Sequence, residues 1–441
     1  MPASPPPFHA GGAPARGWLL ALAGITLAAF NLRTAVTSIT PLLDVVGNEF
    51  GFGATMAGVI GMLPAAAFAA FGAATPAIAR RLGLERTVLL AMALAAAGLV
   101  LRSVAGNMTM LIAGSLVSLA GMGIGNVVLP PLVKRWFPHR VGALSVVYIT
   151  ALQAGTIMAA LLAVPLADAF GWRLSMGSWA LVAAVAMLPW LALLRPATDH
   201  GGDAAMASAA TTAPAALAGI DSDDSDDDVP AAGATELDST PASRSRVWHT
   251  SLGWGMALMF GMTSLATYAM FTWMPRIFTD AGASPAFGGA MVALYTGFSL
   301  LGGLVIPGLA VRMPNTFVLA AICALAQFSG FYGLWQAPMA APWLWATLVG
   351  IGGCTFPLGL TLINLRTRTP DGSAALSGFT QGLGYSLACL GPLLFGMLKD
   401  ASGGWAWPFA MLSASVVVML AGAWQACRPR FLEDIPARRR R

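Results

Sequence analysis

The sequence predicts an all-α membrane protein of twelve transmembrane helices, built as two parallel repeats of six. Three observations lead to this fold class. Of the 441 residues, 57% are hydrophobic and only 10% are charged. Apolar runs recur along the whole chain and reach the roughly 18 to 20 residues that a helix needs to cross a hydrocarbon core of about 30 Å. Short identical segments also recur at a nearly constant offset of about 232 residues.

This composition excludes a soluble domain, whose surface needs about 25% charged residues. The runs are continuous and rich in Gly, Ala and Leu, whereas a transmembrane barrel shows segments of about ten residues with alternating polarity. The first run extends from Gly17 to Val46 and contains Asn31 and Arg33. Because the apolar core of a signal peptide is only about 7–15 residues long, we interpret this run as a retained first helix.

Polar breaks between the runs place the twelve helices along the chain. The predicted spans are 17–46, 54–79, 87–105, 109–132, 141–166, 173–194, 250–275, 286–311, 314–335, 342–364, 373–398 and 405–427. The resulting segments are a tail at 1–16, a first half at 17–195, a linker at 196–247, a second half at 248–427 and a basic tail at 428–441.

The linker is rich in Ala, Ser, Thr and Gly and carries an acidic run from Asp221 to Asp228. Such a segment cannot bury enough apolar surface to fold alone. We therefore predict a disordered, acidic cytoplasmic linker that acts as a solvated spacer, and an interaction tail is the alternative.

The distribution of basic residues predicts the orientation. Of the 24 Lys and Arg residues, 19 lie in the tails, the linker and the loops on the side of the termini. The other side receives Arg102, Arg173, Arg276 and Lys399, and Arg33 lies inside a span. Since cytoplasmic loops carry an excess of basic residues, we expect both termini in the cytoplasm of a multi-pass protein of the cytoplasmic (inner) membrane.

The two halves are internal repeats. Ala143-Leu-Ser145 matches Ala375-Leu-Ser377, and Asp168 matches Asp400, both at an offset of 232 residues. Six helices per repeat give both copies the same orientation in the membrane. This parallel two-half arrangement is that of the major facilitator fold.

Arg33 is the most informative single residue, because it lies near the middle of its span. A charge there costs about 2.5–3.5 kcal/mol on the insertion scale, and a guanidinium matches a planar anion with its fork of donors. At helical spacing Arg33 shares a polar stripe with Thr37, Thr40 and Asp44. We predict a cavity-facing anchor for an anion or dipole; a structural arginine bonded to backbone carbonyls or to Asp44 is the alternative.

Further polar side chains at membrane depth are few. Each could contact a small-molecule substrate or hydrogen-bond between helices, a bond worth about 0.6 kcal/mol on average. With Arg33, the predicted substrate-binding residues are Asn31, Thr37, Asn126, Gln153, Tyr268, Gln381 and Tyr385.

Intramembrane acids and metal ligands are scarce. Asp44 is the only carboxylate near a span interior, and all four His residues fall in tails, loops or the linker. Proton-coupled carriers use buried Asp, Glu or His as relays, so Asp44 is the one candidate for coupling. The four Cys residues show no C-x-x-C spacing, and we predict no metal site, no cofactor and no enzyme activity.

The segment from Asn31 to Leu43, Asn-Leu-Arg-Thr-Ala-Val-Thr-Ser-Ile-Thr-Pro-Leu-Leu, resembles the first helix of the cyanate/2-nitroimidazole permease (CynX/NimT) family of major facilitator transporters. Further matches run through nearly the whole chain apart from linker and tails. They are Pro130 to Phe137, Trp273-Met-Pro275, Gly352 to Leu358 and Phe379 to Tyr385. The resemblance implies transport of a small polar molecule, with cyanate uptake and 2-nitroimidazole efflux as precedents.

The loop after the second helix departs from the general major facilitator pattern, G-x-L-A-D-R-x-G-R. Here it reads Pro76-Ala-Ile-Ala-Arg-Arg-Leu-Gly83-Leu, so Arg80 stands where an acidic residue is usual. By the resemblance Arg80, Arg81 and Gly83 form the gating loop, and the change at Arg80 puts its usual charge contact in doubt.

The sequence therefore predicts a secondary transporter, a monomer in the lipid bilayer, that moves a cyanate-like or nitroimidazole-like solute by alternating access. The absence of a G-x-x-x-x-G-K-[ST] loop argues against a nucleotide-driven pump, and nothing predicts a nucleic-acid partner. A receptor or scaffold without transport is the alternative. An intramembrane hydrolase lacks the paired catalytic groups it would need.

Overall fold

A computed structural model of the chain describes residues 15–194, 247–313 and 315–434. The described part is helical and contains no strand, so the predicted all-α fold class is confirmed. The predicted tail before residue 15, nearly all of the linker and the last seven residues of the basic tail lie outside the described residues.

Twelve helical spans follow each other in the predicted order, with three of them interrupted. They are α1 (Ala15–Asn31, Thr34–Thr37, Thr40–Leu42 and Leu43–Phe50), α2 (Ala54–Leu82), α3 (Leu84–Ser103), α4 (Met108–Trp136), α5 (Val141–Phe170), α6 (Trp172–Leu194), α7 (Ser251–Asp280), α8 (Pro285–Arg312), α9 (Phe317–Gln336), α10 (Pro342–Gly352 and Thr355–Leu365), α11 (Pro370–Ala388 and Leu390–Ser402) and α12 (Ala406–Ala426).

Eleven of these spans are long and apolar enough to cross a membrane. The exception is α7, which is 30 residues long but carries several Gly, Ser, Thr and Trp residues. Most of its side chains are buried against other helices, and packing between membrane helices favours small and hydroxyl-bearing residues over purely aliphatic ones. The lower hydropathy of α7 thus follows from its central position.

Proline accounts for the interruptions in α10 and α11. Pro357 and Pro392 each lie three residues after a break, at Cys354 and Cys389. Proline lacks the N–H that bonds the carbonyl four residues earlier, and its ring crowds that carbonyl, which weakens the preceding turn. Pro41 stands in the same relation to the second break in α1, at Ser38.

The halves meet through two helix pairs, α2 with α11 and α5 with α8, while α7 also contacts α1 and α2. We call the end of the bundle where α1 ends and α2 begins the outer face, and the opposite end the terminal face. The outer ends of the two pairs approach most closely. A Cβ added at Gly58 of α2 would lie 2.6 Å from the Pro392 carbonyl oxygen, and one at Gly289 of α8 would lie 2.6 Å from the Ala160 carbonyl oxygen.

Candidate functional site

Arg33 lies in the first interruption of α1, between Asn31 and Thr34. Its backbone has φ −129° and ψ 2°, far from the helical values near −63° and −42°. The Thr34 hydroxyl donates to the Asn31 side-chain oxygen at 2.7 Å and to the Asn31 carbonyl at 3.0 Å. Such local bonds compete with the backbone hydrogen bonds of a helix, and they favour the non-helical backbone conformation of Arg33.

The Arg33 side chain is half-buried and forms no ion pair with any described residue. Its Nε is fully buried and has no hydrogen-bond partner in the described part of the chain. Its chain neighbours Ala35 and Val36 pack in one cluster with Tyr268 of the second half. The guanidinium therefore lies at the interface between the halves.

Tyr268 enters this interface from α7. It is 3% exposed and packs in a cluster made mainly of first-half residues, among them Ala35 and Leu63. Its hydroxyl is buried and has no hydrogen-bond partner among the described residues. Arg33 and Tyr268 thus bring two polar groups with unused bonding capacity together from opposite halves.

Three other predicted residues also lie at or beside the interface. Gln153 of α5 donates from Nε2 to the Thr296 carbonyl of α8 at 3.4 Å. On α11, Gln381 donates to the Ser377 hydroxyl at 2.7 Å, and Tyr385 packs against the cluster that contains Tyr268. Each of these two amides uses one N–H in its bond, and a glutamine amide also has a second N–H and an acceptor oxygen with which to contact a solute.

The structure places the remaining predicted contacts inside the first half. Asn31 is fully buried and approaches the Met92 sulfur at 3.9 Å. Thr37 donates to the Thr156 carbonyl at 3.0 Å, which ties α1 to α5. Asn126 is half-buried and has no hydrogen bond to another described residue. In this conformation Asn31 and Thr37 hold α1 in place, and their role as substrate contacts stays a prediction.

Asp44 does not pair with Arg33. Its Oδ1 lies 3.1 Å from Nη1 of Arg276, and its Oδ2 accepts a hydrogen bond from the Thr279 hydroxyl at 3.2 Å. Both partners belong to the outer end of α7. The predicted alternative of an Arg33–Asp44 ion pair is therefore wrong, because the interruptions of α1 separate the two side chains.

In the predicted gating loop, Gly83 ends α2 with φ 80°, a left-handed value that favours glycine. Arg80 and Arg81 are exposed and form no ion pair within the described residues. The acidic partner of this region is Glu85, which pairs with Arg135 at 3.3 Å and accepts from the Trp136 indole at 3.1 Å. These bonds join α3 to the terminal end of α4.

Arg102 is a functional candidate that the sequence reasoning missed. We expected it on the outer surface at the end of the third span, but it is 1% exposed. Its Nη1 donates to the Ala35 carbonyl at 2.9 Å, and its Nη2 approaches the Met176 sulfur at 3.2 Å. The sequence does contain a signal for this position. Arg102 lies within the apolar run Leu-Val-Leu-Arg-Ser-Val-Ala, residues 99–105, rather than after its end.

Bonds between the halves concentrate at the outer face. Asp400, at the end of α11, accepts from the backbone N–H and the hydroxyl of Thr55, both at 2.6 Å, and so caps the start of α2. Asp44 joins α1 to α7 at the same face, and Gln153 joins α5 to α8 deeper in the bundle. These bonds and the close approaches at Gly58 and Gly289 join the halves at the outer face and just below it. The described conformation is thus closed at the outer face.

A bundle of two six-helix halves with an unpaired cation at their interface defines a polytopic membrane transporter. The sequence profile of the Major Facilitator Superfamily matches residues 25–391, and the chain belongs to this superfamily.

Similar proteins extend over most of the chain. The 2-nitroimidazole transporter of Escherichia coli (strain K12) is 31% identical over 415 residues, which cover 93% of this chain and 96% of that protein. The cyanate transport protein CynX of the same organism is 26% identical over 398 residues, 90% and 94% of the two chains. These relatives confirm the family resemblance of the sequence.

Among solved structures, a bacterial homologue of the human lysosomal transporter Spinster matches with a TM-score of 0.69 at 16% identity. The match covers 96% of this chain and 99% of that chain. This structural match supports the assignment of the chain to the same fold.

Proposed function

We propose that this protein is a secondary transporter that moves a small polar or anionic solute across the cytoplasmic membrane by alternating access. Arg33 anchors the charge or dipole of the solute. One observation carries this proposal: among the residues that the structure describes, the Arg33 guanidinium has no carboxylate within ion-pair distance, and its buried Nε has no hydrogen-bond partner. A buried charge requires compensation, and a solute anion supplies it.

The solute class follows from the geometry of the anchor. A guanidinium offers parallel donors in one plane, which suits a planar or linear anion and a nitro group better than a sugar. The two relatives named for cyanate and for 2-nitroimidazole transport agree with a small, planar solute. Import and export use the same cycle, so the same site serves cyanate-like uptake and nitroimidazole-like efflux.

The test is substrate counterflow in proteoliposomes, which reports carrier exchange without any assumption about the driving force. We expect labelled cyanate or 2-nitroimidazole to accumulate transiently in vesicles preloaded with the unlabelled compound. The control is the same vesicle containing Arg33→Ala protein that elutes and melts like the native chain. Equal counterflow in both preparations contradicts the proposed role of Arg33.

The alternative, a receptor or scaffold without transport, depends on the acidic linker, 196–247. Deleting the central part of the linker separates the two functions. A transporter retains counterflow after the deletion, because the linker lies outside the two halves. A scaffold loses its partner binding, and the native chain would then show no counterflow at all.

A further inference from the structure

A narrow cavity of about 20 Å³ lies between α1, α2, α3, α4 and α7, on the outer side of Arg33. This is space for about one water molecule. Its polar lining comes from both halves. The polar side chains that line it are those of Thr40, Arg102, Ser115, Tyr268 and Thr272. At the outer face the bonds of Asp44 to Arg276 and of Asp400 to Thr55 join the two halves.

Arg102 brings an uncompensated charge to this cavity. It is 1% exposed and forms no ion pair with a described residue. A guanidinium has five N–H donors, and only two of them are used, by the Ala35 carbonyl and the Met176 sulfur. Both of these acceptors are neutral, and a thioether is a weak acceptor. Nε remains buried without a partner among the described residues.

Tyr268 brings the second unused donor, from the other half. Its hydroxyl is buried without a partner in the described part of the chain, while three other hydroxyls of the lining are already bonded. Ser115 donates to the Leu111 carbonyl at 2.8 Å, Thr40 to the Thr37 carbonyl at 3.3 Å and Thr272 to the Tyr268 carbonyl at 2.9 Å. Among the described residues that line the cavity, the hydrogen-bond donors without an acceptor therefore belong to Arg102 and Tyr268.

Tyr268 also connects this cavity to the central anchor. It lines the cavity together with Arg102 and with Ala35 and Val36, which closely follow Arg33 in α1. The backbone makes the same connection, because Arg102 holds the carbonyl of Ala35, two residues after Arg33. Arg102 therefore lies beside the segment of α1 that carries Arg33, and it is the nearer of the two arginines to the outer face.

From these observations we infer that Arg102 and Tyr268 form a second anion subsite, which takes the charged group of the solute when the outer face is open. The subsite rests on the proposed transport function. Separation of the halves at the outer face widens the cavity and admits an anion to Arg102. Closure narrows it to its present volume and leaves Arg33 as the cation that retains the solute. Arg102 therefore determines affinity from the outer face alone.

The test compares affinity from the two faces in membrane vesicles of opposite orientation, with labelled cyanate, nitrate and benzoate as probes. Two variants remove the subsite. Arg102→Gln removes the charge, and Ser115→Asp places a carboxylate in the cavity, which pairs with Arg102 and keeps the buried charge compensated for folding. Ser115→Ala is the matched control, because it changes the same position without adding a charge.

We expect both variants to raise the half-saturation concentration from the outer face at least tenfold and to change it less than twofold from the terminal face. Ser115→Ala should resemble the native chain at both faces. An equal change at both faces, or no change at either, overturns the subsite while transport itself stands. If the native chain carries none of the three anions from either face, the proposed anion transport fails and the subsite fails with it.

Discussion

The Arg33 guanidinium shows how one side chain sets the chemistry of the interface. It lies at a break in α1 and beside the second half, and no carboxylate of the described part of the chain pairs with it. Retaining such a charge costs several kcal/mol unless a counter-charge is present. The residue therefore acts as a fixed positive charge whose partner arrives from solution.

Arg33→Lys tests whether the planar fork or only the charge is needed. We expect normal insertion but at least a tenfold loss of solute exchange, because an ammonium cannot bond two atoms of a planar anion side by side. The measurement is counterflow at matched protein density, with melting temperature as the folding control. Native exchange rates in the lysine variant would show that charge alone suffices.

Gly155 of α5 tests the close packing that holds α1. A Cβ at this position would overlap the Phe30 carbonyl oxygen and lie 3.1 Å from the Phe30 Cα. We expect Gly155→Ala to lower the free energy of unfolding by about 1–3 kcal/mol, since the overlap forces the backbones apart. The control is Gly378→Ala, where nothing lies within 4 Å of the added Cβ. A thermal melt that shows equal stability for both variants contradicts this packing argument.

At the residue scale the sequence located Arg33 but misplaced its companions. The predicted stripe of Arg33, Thr37, Thr40 and Asp44 assumed one continuous helix. The interruptions change the direction of each piece, so that Thr37 bonds to α5 and Asp44 reaches the outer end of α7. Arg102 was missed for a different reason. Arg102 stands near the end of the predicted third span, where a charged residue is expected to face the outer surface. Only the packing of the helices shows that its side chain is buried.

At the scale of the elements, the spans themselves were predictable because an apolar run of sufficient length has few alternatives in a membrane. The interruptions within the spans were only partly predictable. Proline positions account for breaks in α10 and α11, whereas the break at Arg33 depends on the local bonds of Thr34. The packing of helices against each other required the structure, since small residues permit many close approaches.

The cap on α2 gives a prediction for the closed outer face. Asp400 holds the Thr55 N–H as a charged acceptor, and the start of a helix favours a negative charge. We expect Asp400→Asn to shift the population toward the open outer face about fivefold, which corresponds to a loss of about 1 kcal/mol. Spin labels on Gly106→Cys and Ala281→Cys measure the separation of the halves there. An unchanged distance distribution would show that Asp400 is not part of the closure.

The C-terminal end of the described chain packs on the start of α11 through Glu433. Its carboxylate accepts from the backbone N–H groups of Arg368 at 3.0 Å and Thr369 at 3.1 Å. Burial by itself raises the pKa of Glu433, but the hydrogen bonds from the backbone of Glu433, Arg368 and Thr369 outweigh it, so the pKa lies below the ordinary value.

A lowered carboxyl pKa stabilises the folded form above the unfolded pKa of about 4.3, and this contribution is lost as the pH falls through the folded value. We expect Glu433→Gln to lower the hydrogen-exchange protection factor of the segment 366–373 at neutral pH, as protonation of Glu433 does in the native chain once the pH dependence of the intrinsic exchange rate is taken into account. Asp434→Asn is the control, since Asp434 forms only an exposed pair with Arg368 at 2.9 Å. Equal protection in both variants at pH 7 contradicts the role of Glu433 as a cap.

At the scale of the whole molecule, the question is what drives net transport. The described part of the spans places no carboxylate beside Arg33, and Asp44 is engaged by Arg276 and Thr279 at the outer face. We propose that the carrier is a uniporter, or that protons couple through titration of the solute itself. Asp44 is the one side chain proposed as a relay.

Nitrate tests this proposal, because it does not titrate at any working pH. We expect a pH gradient to concentrate nitrate neither in proteoliposomes of the native chain nor in those of Asp44→Asn, while counterflow of nitrate proceeds in both. Accumulation by the native chain alone would assign the relay to Asp44. Accumulation by both would reveal a titrating group elsewhere and overturn the proposal.

The two contacts between the halves are related by the internal repeat but differ in chemistry. Asp400 fastens α11 to α2, whereas its repeat counterpart Asp168 is exposed, and the start of α8 is capped by its own Ser284. Between α5 and α8 the described residues show close packing at Gly289 and the neutral bond from Gln153 to Thr296. Of the two helix pairs, only α2–α11 is therefore held by a charged group among the described residues, so we expect the strength of the α2–α11 contact, but not that of the α5–α8 contact, to depend on the charge of Asp400.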